Sequence, residues 1–123
     1  MTLKNTALEQ KVMHAQPHEL VLMMYDGCIA FISKGEAALV KKDFEATNTY
    51  LQKAEKILLE FNDTLDMQFE ISQQLSPLYC YTYNKLVEGN ITSDLNKLRE
   101  AKSIISELRD AWYNAIQTLK ESA

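Results

Sequence analysis

The chain has 123 residues and a mass of 14.1 kDa, the size of one domain with one core. A hydrophobic share of 46% with 24% charged residues excludes a disordered or low-complexity chain. Thirteen Lys and Arg against seventeen Asp and Glu leave a net charge of −4, which excludes the basic stripe that nucleic acid requires. Lys41-Lys42 is the densest basic spot, so a polybasic membrane-binding surface is not expected either. Cys28 and Cys80 do not make a disulfide framework, and Lys4, Asn5, Glu9, Gln10 and Lys11 interrupt any apolar leader. A cytoplasmic protein is expected. Three glycines and two prolines are too few for the turns of a sandwich or barrel. The chain must therefore be built of long helices.

Residues 1–16 read as a separate segment with a short amphipathic stripe of Leu3, Leu8 and Val12. Pro17 uncouples it from the first long helix, because proline disfavours the α conformation at Gln16 yet suits the first turn of a new helix. That helix is expected from about Pro17 to about Lys42. Its apolar residues fall on two stripes. Leu20, Met23, Met24, Gly27, Cys28 and Phe31 form one, and Leu22, Tyr25, Ile29 and Ile32 form the other. A helix apolar on nearly every side needs more cover than bundle neighbours supply, so the second stripe is expected to be surplus.

A second helix is expected from Asp43 to about Leu65, with Leu51, Ala54, Leu58, Phe61 and Leu65 buried and Tyr50 and Ile57 flanking. A third covers about Phe69 to Glu88 and stops at Gly89-Asn90. Pro77 either kinks this helix or starts a shorter one. Tyr79 and Tyr83 share one face of it, while Tyr81 points away. The last helix, about Thr92 to Lys120, carries a seam of Leu95, Leu98, Ala101, Ile105, Leu108, Trp112, Ala115 and Leu119. Four long helices on short loops define an all-α, antiparallel up-and-down four-helix bundle over residues 17–123, with the short N-terminal segment packing on it.

No constellation points to catalysis. His14 and His18 are four apart, but Pro17 breaks their register and no zincin glutamate accompanies them. Glu-x-x-His pairs for a di-iron centre are missing. Both cysteines lie in apolar helical runs, where a buried inert thiol is expected. Neither a phosphate loop nor a nucleophile elbow occurs. No enzyme activity, metal or cofactor is expected. The remaining signal is apolar and aromatic surface suited to a protein partner.

Four stretches then resemble a known family. Ala15-Gln16-Pro17-His18-Glu19-Leu20-Val21-Leu22-Met23-Met24-Tyr25-Asp26-Gly27 resembles the opening of the flagellar secretion chaperones, the FliS family. Lys53-Ala54-Glu55-Lys56-Ile57-Leu58 with Leu65-Asp66 resembles the family's second-helix signature. Leu75, Leu78-Tyr79-Cys80-Tyr81, Leu86 and Asn90 resemble the third, and Leu108-Arg109-Asp110-Ala111-Trp112 the last. Met67-Gln68-Phe69-Glu70 and Gly89 depart from the family pattern in loop detail. The resemblance implies a chaperone that binds the C-terminal segment of flagellin, prevents early polymerisation and delivers it to the flagellar export apparatus for type III export. Leu22, Tyr25, Ile29 and Ile32, together with Tyr50, Ile57 and Tyr81, are the candidate client-binding residues. Leu3, Leu8 and Val12 are the candidate cover. The alternative is a structural scaffold that self-associates, as a homodimer, through its first helix.

Overall fold

The computed structural model describes residues 17–122. The expected cover residues Leu3, Leu8 and Val12, and also His14, lie outside them. Four helices succeed one another in antiparallel order: α1 Pro17–Val40, α2 Phe44–Thr64, α3 Glu70–Thr92 and α4 Leu95–Ser122. Each packs on its neighbour in sequence, and α4 returns to α1 to close the bundle. The fold is the up-and-down bundle that the sequence implies.

Local chemistry sets the helix ends. Asp43 caps α2, its carboxylate accepting from the Ala46 amide at 3.1 Å. The α2–α3 turn needs no glycine, because the Asp66 side chain accepts from the Gln68 amide at 3.0 Å and closes a local turn. Pro77 lies inside a helix that starts seven residues earlier, so it does not begin a shorter one. The expected stop at Gly89-Asn90 is also corrected. α3 continues to Thr92 and ends on Ser93, which adopts the left-handed conformation at φ 52°. Gly89 serves a different purpose: a Cβ there would lie 2.7 Å from Leu98 Cδ2, so its missing side chain admits α4. Gly35 does the same between α1 and α2, where a Cβ would meet Leu51 Cδ2 at 2.6 Å.

The core runs the length of the bundle through Cys28, Ile32, Leu51, Leu58, Leu86, Leu98 and Ile105, all essentially inaccessible. Full burial of each of these Leu and Ile side chains contributes about 1.5–3 kcal/mol. Two expected seams shift. On α1 the buried line is Tyr25, Cys28, Ile32, Gly35 and Leu39, which cuts across both expected stripes. Tyr25 and Ile32 are therefore core residues and not part of an uncovered stripe, since α2 and α4 flank α1 on both sides. On α4, Ile116 is buried, whereas Ala115 is exposed and Leu119 is 69% exposed. A strict 3.5-residue seam drifts by about 20° per heptad on a straight helix, and α4 is long enough for that drift to turn Leu119 outwards.

Polar contacts fix the register. Asn90 donates to Asn48 Oδ1 at 2.9 Å and Ser76 donates to Asn62 Oδ1 at 2.8 Å, clamping α2 to α3. Glu55 lies midway between these clamps on α2. Its Oε2 is buried without a hydrogen-bond partner, and burial pushes the carboxyl up to about 7 from its ordinary value. The folded chain therefore holds this proton more tightly than the unfolded one. Its contribution is fully present below the ordinary glutamate pKa and declines as pH rises towards 7. Glu55→Gln is expected to raise the melting temperature at pH 8 and to flatten its fall between pH 5 and 7; thermal unfolding across that range checks both. A variant that melts like the wild type at every pH would contradict this account.

Candidate functional site: an apolar groove at one end of the bundle

Antiparallel order brings the start of α1, the end of α2, the start of α3 and the later part of α4 to one end. There they enclose a groove of about 400 Å³. α1 contributes Val21 and Tyr25, and α2 contributes Phe61 and Thr64, with Leu65 just beyond. Ile71, Leu75 and Tyr79 come from α3, facing Leu108, Ala111 and Trp112 of α4. Among the described residues, the Thr64 and two tyrosine hydroxyls are the only side-chain heteroatoms of this wall besides the Trp112 indole nitrogen. That nitrogen is already occupied, donating to the His18 carbonyl at 2.8 Å. The bond ties α4 to the first turn of α1 and holds the Trp112 ring in place.

An aromatic stack stiffens one side. The Tyr25 ring lies on Phe61 at 4.5 Å and Phe61 on Tyr79 at 5.4 Å, while the two tyrosine hydroxyls hydrogen-bond at 2.6 Å. Burial raises the pKa of both phenols, so both stay neutral across the physiological range. Ile71 of the wall is 59% exposed, and Met67 and Phe69 in the adjoining α2–α3 connection are 51% and 62% exposed. Large apolar side chains so exposed along the rim extend the apolar surface beyond the cavity. Asp26 and Arg109 pair at 2.8 Å across the α1–α4 seam.

The candidate client-binding residues do not all gather here. Tyr25 reaches the groove as part of its wall, whereas Ile32 is in the core below. Leu22 and Ile29 are half-buried on α1. Tyr50 and Ile57 are half-buried on α2, where Lys34 lies over the Tyr50 ring at 5.8 Å and Ile57 faces Gly27. Tyr81 is exposed on the α3–α4 side, donating its hydroxyl to Glu100 beneath Lys85. Periodicity by itself assigns four of the groove residues only to buried positions: Phe61, Leu65, Leu108 and Trp112. It pairs Tyr79 with Tyr83 on one face, and Leu75 enters only through the family resemblance. Each of the four family-like stretches supplies part of the wall, with Val21 and Tyr25, Leu65, Leu75 and Tyr79, and Leu108, Ala111 and Trp112, whereas Phe61 lies outside them.

Other chemistry is sparse among the described residues. No three His, Cys, Asp or Glu side chains gather to hold a metal ion. Cys28 is buried, its thiol pushed up to about 12 by burial. Cys80, expected to be buried, is exposed on α3 beside a smaller cleft formed with Leu59, Asn62 and Tyr83. No helix among these residues is long and apolar enough to cross a membrane.

A small helical bundle with an apolar groove where its four helices meet is a binding protein in architecture. Comparison with known proteins gives the class a family. The profile of "Flagellar protein FliS" matches residues 2–119. The chain is 40% identical over 114 residues to the flagellar secretion chaperone FliS of Bacillus subtilis, spanning 92% of this chain and 86% of that protein. It is 29% identical over 109 residues to the flagellar secretion chaperone FliS of Salmonella typhimurium, spanning 86% and 81%. The fold matches a crystal structure described as a flagellar chaperone from bacteria at a TM-score of 0.77, with 18% identity, covering 94% of this chain and 98% of that one. The chain belongs to the FliS family of flagellar secretion chaperones.

Proposed function

We propose that this protein is a cytoplasmic chaperone for flagellin. It holds the C-terminal segment of flagellin in the groove, prevents early polymerisation and presents the subunit to the type III export apparatus. The groove carries this reading: about 400 Å³ of largely apolar space with an apolar rim, built by all four family-like stretches in a member of a flagellar chaperone family. Its size suits the apolar face of an amphipathic helix, which recognition in a groove requires. Neither nucleotide nor cofactor enters the mechanism, since holding and releasing a segment needs only differential burial.

Calorimetric titration with flagellin is expected to give a one-to-one complex with a negative heat-capacity change. Deleting the flagellin C-terminal segment should abolish it, and an unchanged affinity for the truncated flagellin would sink the reading. Concentration-dependent dimerisation with no response to flagellin would favour the scaffold alternative. In this scheme residues 1–16 act as a displaceable cover. Their deletion should tighten client binding modestly while making the chaperone without client more prone to self-associate, as read by size-exclusion chromatography. Equal affinity and equal elution would remove the cover from the scheme.

A further inference from the structure

Tyr25 and Tyr79 place polar chemistry in a largely apolar wall. Its other side-chain donors are already taken, Thr64 Oγ1 donating to the Phe61 carbonyl at 2.8 Å and Trp112 Nε1 to the His18 carbonyl at 2.8 Å. A phenol hydroxyl offers one O–H donor and two acceptor lone pairs. Their mutual hydrogen bond at 2.6 Å uses one O–H and one lone pair, and either oxygen can serve as the donor. The second O–H has no acceptor among the described residues. Tyr25 and Tyr79 are only 4% and 3% exposed, so bulk water does not serve it freely. Deprotonation does not remove the problem, because burial raises both phenol pKa values. A buried donor without an acceptor is unfavourable until something supplies one.

We infer that the spare O–H of the Tyr25–Tyr79 pair is a specificity determinant of the groove, selecting occupants that bring a hydrogen-bond acceptor into its apolar wall. The proposal rests on the client reading of the groove and adds a polar requirement to it. A carbonyl in the last turn of an amphipathic helix meets that requirement, because the final carbonyls of a helix have no partner within it. A helix offering only an apolar face does not. The two hydroxyls are interchangeable in this role. With one removed, the other keeps an O–H to donate; with both removed, the occupant's acceptor is buried unpaired.

That redundancy sets the test, which uses Tyr25→Phe, Tyr79→Phe and the double variant, each checked for helicity and thermal unfolding. In calorimetric titration with the flagellin C-terminal segment, the double variant is expected to bind about tenfold more weakly than the wild type. Each single variant should lose less than about threefold. A double variant that binds as tightly as the wild type, or more tightly, overturns the inference, since a wall without a spare O–H would then suffice. A single variant that loses as much as the double also overturns it, because the mutual bond alone would then matter. Naphthalene and quinoline separate this inference from the client reading: they share a shape, and only quinoline carries an acceptor nitrogen. Followed by amide chemical shifts, the double variant should move the ratio of the two affinities about tenfold towards naphthalene. An unchanged ratio, or a groove that takes neither probe, overturns the inference. A shifted ratio in a protein that ignores flagellin would defeat the client reading and uphold the hydroxyl pair.

Discussion

Leu75→Asp is expected to remove client binding while leaving the bundle folded. Leu75 lies on α3 in the groove wall and is half-buried, so an aspartate there keeps access to water in the client-free protein. Once the groove is filled, the same carboxylate would have to be desolvated among apolar side chains, with no cation among the described residues of the wall to pair it. That penalty amounts to several kcal/mol, so the affinity should fall by at least about 100-fold. Ile91→Asp is the matching control, since Ile91 is 77% exposed near the end of α3, away from the groove. Titration with flagellin, paired with circular dichroism, reads both variants. Equal losses from Leu75→Asp and Ile91→Asp would mean that binding does not use this end of the bundle.

The second large effect is on stability. Ile32→Ala is expected to destabilise the protein by about 2–5 kcal/mol, the range for truncating a fully buried aliphatic side chain and leaving a cavity. Ile32 is inaccessible and belongs to the central core cluster, between the closely packed Cys28 and Gly35 levels of α1. Domains of this kind are stable by only about 5–15 kcal/mol, so the loss is a large fraction of the whole. Urea unfolding should show an earlier midpoint with an unchanged slope, and the melting temperature should fall by roughly 8–20 °C. Client affinity of the folded fraction should stay close to that of the wild type. A variant that unfolds like the wild type would place Ile32 on the surface.

Helix number, order and rough length are legible in the sequence because α2 and α4 alternate apolar and polar residues clearly, with Asp43 and Pro17 marking starts. The phase of α1 is not legible. A helix apolar on nearly every side carries no contrast from which to read a buried face, so Tyr25 and Ile32 look like surplus. The phase is fixed by the close approach at Gly35, which depends on Leu51 of another helix. Gly89 misleads for a related reason: it is a packing glycine, and its fit to Leu98 is invisible along the chain. The groove is legible only as scattered motifs. Phe61, Leu108 and Trp112 satisfy helical periodicity equally well whether the bundle closes over them or opens. The two tyrosine hydroxyls are 54 residues apart, and no local pattern announces their meeting.

The chain order of the bundle also governs how the groove comes into being. Three of its four helix interfaces join sequence neighbours through short turns and can form as local hairpins. The fourth, α1 against α4, spans most of the chain: Glu36 with Lys102, Asp26 with Arg109 and the His18 carbonyl with Trp112 are separated by 66, 83 and 94 residues. Closing loops of that length loses the most chain entropy and is rewarded only when the distant surfaces meet. The α1–α4 contact is therefore the expected last step of assembly. The groove takes Val21 and Tyr25 from one side of that contact and Leu108 and Trp112 from the other, so no three-helix intermediate contains it. A nascent or partly unfolded chain cannot hold an occupant there, and occupancy reports that folding is complete.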